Sequence, residues 1–137
     1  MLEISEQENR GVFIMEQSFG KFIEEKRKVL GLTLRGLATT VGITPAFMSD
    51  IEKGHRYPPK KATLDKIVDA LHLNDEEMHT MFDLAGKSKD NSVSPDLPEY
   101  IMNNEQVRIA LRLARDSDTS DKVWQQVIEM LENESKE

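Results

Sequence analysis

The stretch Thr33-Leu34-Arg35-Gly36-Leu37-Ala38-Thr39-Thr40-Val41-Gly42-Ile43-Thr44-Pro45-Ala46-Phe47-Met48-Ser49-Asp50-Ile51-Glu52-Lys53-Gly54 decides the fold of this chain. Leu34, Leu37, Ala38 and Val41 recur at the i, i+3, i+4, i+7 spacing of one buried helical face. Thr33 is placed to cap that helix, and Gly42 ends it after little more than two turns. Thr44 caps a second helix, whose first position holds Pro45, where a missing N–H costs nothing. Met48 and Ile51 form its inner face, and Gly54 closes it. The stretch therefore reads as two short helices joined by the tight turn Gly42-Ile43-Thr44.

Working outward, the same pattern continues on both sides. Upstream, Ser18 is a plausible cap, Phe19, Phe22, Ile23 and Leu30 share a face, and Gly31 supplies the stop. Downstream, Pro58-Pro59 breaks the chain, and Leu64, Ile67, Val68 and Leu71 form a fourth stripe. Asn74 with Glu77 three residues on has the form of a capping box, opening a fifth helix with Met78, Met81, Phe82 and Ala85 inward. Residues 86–96 are polar and rich in helix breakers and read as a linker. Beyond them Val107, Ala110, Leu111 and Ala114 make one amphipathic helix, and Val123, Trp124, Val127, Ile128 and Leu131 another. No strand alternation and no solenoid period occurs. The expected fold class is all-α. Residues 1–17 form an N-terminal extension with the apolar cluster Val12-Phe13-Ile14-Met15, residues 18–86 a five-helix domain, 87–96 a linker and 97–137 a C-terminal helical extension.

Bulk properties exclude several classes. With no cysteine among 137 residues, disulfides, thiolate metal sites and cysteine nucleophiles are ruled out. His55, His72 and His79 lack zinc-ligand spacing, and Asp116–Asp121 lacks the glycine and terminal glutamate of a calcium loop, so no metal or cofactor is expected. No apolar run approaches the ~18 residues of a membrane span, and the acidic start Met1-Leu-Glu-Ile-Ser-Glu does not read as a secretory signal. The expectation is a cytoplasmic protein with no membrane partner. No nucleophile–base pair or phosphate-binding glycine loop is visible, which argues against an enzyme. The net charge of −7 is unevenly spread: residues 16–61 carry nine Lys/Arg against five Asp/Glu, and residues 62–137 eight against seventeen. Because charge is screened beyond roughly 10 Å at ordinary salt, a basic face on an acidic chain can still meet phosphate.

Two short helices around a Gly-containing turn are the signature of a helix-turn-helix, whose second helix enters the major groove of double-stranded DNA while the first lies across the backbone. Residues 19–85 resemble the phage-repressor-like (XRE, Cro-like) regulators. The resemblance is carried by Lys26-Arg27-Lys28-Val29-Leu30-Gly31-Leu32-Thr33, Leu34–Ala38, Val41–Gly54, and Arg56 with Pro58-Pro59. It implies a lambda-repressor-like five-helix fold and a sequence-specific DNA-binding regulator, a repressor acting as a homodimer on a palindromic operator. It further implies a small residue at Ala38, a turn glycine at Gly42 and an ion pair between Arg27 and Glu52. Base-reading positions match Pro45, Ala46, Ser49 and Asp50, with Phe47 beside them. Phosphate positions match Thr33, Arg35, Thr44, Lys53 and Arg56, with His55 and Lys60 added. Many relatives carry a phosphate-clamping Gln where this chain has Leu34. The reader set is also poor in Arg, Gln and Asn.

Other features have plainer readings. Lys26-Arg27-Lys28 reads as a solvated face apart from the implied pair, and His72 and His79 as surface residues. Val123, Trp124, Val127 and Leu131 either complete an intrachain core or form a dimer or partner contact. The alternative to a simple repressor is an antitoxin-like or peptidase-paired interaction protein, whose C-terminal extension binds a protein partner and which also represses its own operon.

Overall fold

The computed structural model describes residues 17–136. The cluster Val12–Met15, and all but the last residue of the N-terminal extension, lie outside them. Among the described residues there are helices and no strand. They are α1 (Phe19–Val29), α2 (Leu34–Val41), α3 (Pro45–Glu52), α4 (Lys61–Ala70), α5 (Asp75–Ser88), α6 (Pro98–Asn103), α7 (Glu105–Asp116) and α8 (Asp121–Ser135). The chain divides into two compact units between Leu97 and Pro98.

The first unit is built on local signals that behave as expected. Ser18, Thr33, Thr44 and Asn74 each accept a hydrogen bond from the third residue of the helix they precede. Asn74 and Glu77 complete a capping box in which the Glu77 carboxylate also accepts from the Asn74 N–H at 3.0 Å. Gly31, Gly42 and Gly54 all have positive φ, the left-handed conformation that ends a helix without a Cβ penalty. The apolar stripes meet in one core of Phe19, Phe22 and Ile23 from α1, Leu37, Ala38 and Val41 from α2, and Met48 and Ile51 from α3. Leu64, Ile67 and Leu71 from the α4 region and Met81, Phe82 and Ala85 from α5 complete it.

Two details depart from the expectation. Leu30 continues the α1 stripe in spacing but is 43% exposed. The helix ends at Val29, and Leu30 is its C-cap, already turning toward Gly31. The polar stretch after Ala85 is also more ordered than a linker. Helix α5 runs on to Ser88, and Asp90 and Asn91 take positive φ, which short polar side chains tolerate. The chain then folds back over Gly86, where an added Cβ would lie 2.6 Å from the Ser92 carbonyl oxygen. Tyr57 donates to the Asp90 carboxylate at 3.2 Å, and Ser94 donates to Asp83.

In the second unit α6 was not anticipated, because six residues are too few for a stripe. It is closed by side chains: Asn104 donates to the Tyr100 carbonyl at 2.7 Å, and Arg108 to that of Ile101 at 3.0 Å. Helices α7 and α8 follow the expected stripes, yet none of the residues described in these three helices is buried. No helix among the described residues is long and apolar enough to cross a membrane.

Candidate nucleic-acid interface

Helices α2 and α3 pack on each other across the turn at Gly42, and Ala38 of α2 is fully buried in the core. The N–H groups of Gly42 and Ile43 both return to the Ala38 carbonyl, each at 3.0 Å, so the turn satisfies the end of α2 as it redirects the chain. Met48, Ile51 and Glu52 are the buried side of α3. Ala46, Ser49, Asp50 and Lys53 recur at i, i+3, i+4, i+7 and therefore form the opposite stripe. Ala46 and Lys53 are exposed, and Ser49 and Asp50 are half-buried.

The remaining expected contact residues flank that stripe. Thr33 and Thr44 stand at the N-termini of α2 and α3, where unpaired N–H groups and the helix dipole favour an anion. Their hydroxyl oxygens accept from Gly36 N–H at 2.9 Å and Phe47 N–H at 3.0 Å, which leaves each O–H hydrogen able to donate to a phosphate. Arg35, His55, Arg56 and Lys60 are exposed, and Pro45 is half-buried. Leu34 is partly buried against the core, which explains an apolar residue where a polar clamp was expected. Phe47 is divided between two roles: it packs on the edge of the core, and its ring carries the Arg56 guanidinium at 4.4 Å.

The scaffold behind this surface is held by charge as well as by apolar packing. Arg27 of α1 donates from Nε to Glu52 Oε2 and from Nη2 to Oε1, both at 2.8 Å, and from Nη1 to the Leu32 carbonyl at 3.1 Å. The hydrogen bonds that Arg27 donates to Glu52 raise its pKa above the ordinary value. Lys26 is not a free surface charge: its ammonium pairs with Glu77 of α5. The Asn74 backbone N–H, then Lys26, hold the Glu77 carboxyl below the usual carboxylate range.

Sequence reasoning missed two positions. Gly20 lies inside α1, and a Cβ there would come 2.4 Å from the Ile51 carbonyl oxygen and 2.5 Å from that of Glu52. Only a glycine lets α1 approach the end of α3 so closely. The signal was present, since a glycine inside a helix costs about 1 kcal/mol and needs a packing reason. The second is Lys66 of α4, whose ammonium stands at the turn, 4.0 Å from where a Gly42 Cβ would be. Nothing in the stripe of α4 marks it, because its place depends on how α4 crosses α2.

The fold and the surface together define a helix-turn-helix domain, and residues 18–81 match the family model described as a helix-turn-helix domain. That match agrees with the resemblance of residues 19–85 to the XRE, Cro-like regulators. Among curated proteins, the chain is 40% identical over 57 residues to the HTH-type transcriptional repressor RghR of Bacillus subtilis (strain 168). The match covers 42% of each of the two proteins. It is 38% identical over 60 residues to an HTH-type transcriptional regulator, RghRB, of the same organism, covering 44% of this chain and 43% of that one. The chain thus spans less than half the length of the curated relatives it matches. Among solved structures it is similar to a chain of the SinR protein/SinI protein complex, at 20% identity and a TM-score of 0.44, over 87% of this chain and 99% of that one.

Proposed function

We propose that the chain is a sequence-specific DNA-binding regulator of transcription, a repressor that acts as a homodimer on a palindromic operator. The observation that carries this is the outward α3 stripe of exposed Ala46 and Lys53 with half-buried Ser49 and Asp50, flanked by the capped N-termini of α2 and α3 and by Arg35, Arg56 and Lys60. That arrangement matches a recognition helix in the major groove with phosphate contacts on both sides. The role is binding rather than catalysis, which the names of the two Bacillus subtilis relatives support, and its place is the cytoplasm.

Residues 97–137 serve as the dimerisation extension. The second unit exposes Ile109, Leu111 and Leu113 on α7 and Val123, Trp124, Ile128, Met130 and Leu131 on α8. So short a segment with nothing buried has no core of its own. A second copy of the chain, placed on Val123, Trp124, Val127 and Leu131, supplies one. Two subunits would then meet half-sites roughly 34 Å apart. The same exposed apolar face favours a second reading, in which a different protein docks there and controls DNA binding.

A mobility-shift titration at several salt concentrations, using duplexes enriched by the protein from a random pool, tests DNA recognition. Selective binding that weakens as salt rises is expected. Equal affinity for every duplex, or none, overturns the proposal. Sedimentation equilibrium of the full chain distinguishes the occupants of the tail: twice the chain mass supports self-association, and a monomer supports the second reading.

A further inference from the structure

The α3 surface poses a problem of recognition. Pro45, Ala46 and Phe47 offer no side-chain hydrogen bond to a base, and Ser49 and Asp50 offer only single contacts. The strongest readers of a duplex are planar, bidentate side chains, and α3 has none of its own.

The loop beyond α3 brings one. Arg56 follows the left-handed Gly54, and the His55 N–H returns to the Asp50 carbonyl at 2.8 Å, which turns the chain back along α3. The Arg56 guanidinium then lies over the Phe47 ring, 4.4 Å from its centroid. Phe47 sits in the first turn of α3, the end of a recognition helix that reaches base edges. A guanidinium over an aromatic ring can stack through its face, which leaves its N–H edge open. Among the described residues, no hydrogen bond or ion pair engages that edge. Phe47 is itself anchored, because its side chain is partly buried against the core.

We infer that Arg56, held in place on Phe47, is the side chain that reads guanine for this domain, donating two N–H groups to O6 and N7, and that Phe47 is its positioning residue. The inference rests on the DNA-binding reading above and changes one assignment within it, since family resemblance made Arg56 a phosphate contact. A stacked planar fork is pre-organised for a bidentate acceptor, whereas a phosphate is served equally well by any mobile cation.

The test uses the full chain and a duplex enriched by it from a random pool. Binding is compared for that duplex, for its single-base variants, and for versions carrying 7-deazaguanine, which lacks the N7 acceptor. Arg56→Ala is expected to lose about tenfold to hundredfold in affinity for the enriched duplex and to become indifferent at one G·C pair. Arg56→Lys keeps the charge and loses the fork, so it should lose the same preference while keeping the slope of affinity against salt. Phe47→Leu should relax selection at that same pair, Phe47→Tyr should retain it, and the double variant Phe47→Leu/Arg56→Ala should be no worse than Arg56→Ala alone. Circular dichroism reports whether each variant is folded, and Arg56→Lys decides the matter if Phe47→Leu is not. Uniform weakening on all duplexes with a salt slope reduced by roughly one, the mark of a lost phosphate contact, overturns the inference. So does full selectivity in Arg56→Lys. Failure of the wild-type chain to enrich any sequence overturns instead the DNA-binding proposal beneath it.

Discussion

Replacing Glu52 with glutamine probes the joint on which the interface rests. Its carboxylate is only 3% exposed and the Arg27 side chain 11%, and the pair is bidentate with both bonds at 2.8 Å. Glutamine keeps the shape but leaves a guanidinium buried without a counter-charge. The cost of breaking such a pair is about 3–5 kcal/mol. A domain of this size has a total stability of only about 4–12 kcal/mol, so the substitution removes much of it. With urea slopes of about 1–3 kcal/mol per molar, the unfolding midpoint should fall by at least about 1 M. The assay is urea denaturation followed by far-ultraviolet circular dichroism, with amide exchange in α1 and α3 to locate the change. The double replacement Arg27→Met/Glu52→Leu removes both charges and should recover most of the loss, because neither ion is then stranded. A cost below about 1 kcal/mol for Glu52→Gln, the range of exposed pairs, would refute this reasoning. So would a double variant as unstable as the single one.

Gly20→Ala should destabilise the first unit by about 1–3 kcal/mol in the same urea assay, because its Cβ meets backbone carbonyls that cannot swing aside. Gly42→Ala, at φ +81°, should cost about 1–2 kcal/mol, whereas a thermal melt unchanged from wild type would show that the turn can rearrange. Because the Glu77 carboxyl is held below its ordinary value, its contribution is fully present above the unfolded value near ~4.3 and lost as pH falls through the lower folded value. The melting temperatures of wild type and Glu77→Gln should therefore differ at neutral pH and converge in acid. Trp124 is 37% exposed, and truncating it to alanine should weaken self-association by about thirty-fold or more in sedimentation equilibrium if it anchors the dimer.

Much of the interface scaffold could be read from the chain before any fold was known. The caps Ser18, Thr33, Thr44 and Asn74 and the stops Gly31, Gly42 and Gly54 act within one helical turn of themselves, so neighbouring residues suffice to define them. The apolar stripes of α2 to α5 are likewise periodic along the chain, and each buries the face its spacing marks. Arg27 and Glu52 were placed by family resemblance alone, since nothing local to either residue indicates a partner in another helix.

Tertiary structure decided everything that depends on where one helix meets another. It converted Lys26 from a surface charge into the partner of Glu77, gave Gly20 its purpose against the carbonyls of Ile51 and Glu52, and packed Leu34 partly buried against the core. It also showed that the stripes of α7 and α8, as regular as any in the first unit, bury nothing. Periodicity records which face is apolar and not whether a partner is present. The same limit applies to the stretch Thr33–Gly54. Its helices, turn and inner face are short-range consequences of sequence. That Arg56, outside the motif, comes to rest on Phe47 within it is settled only by the fold of the loop after Gly54.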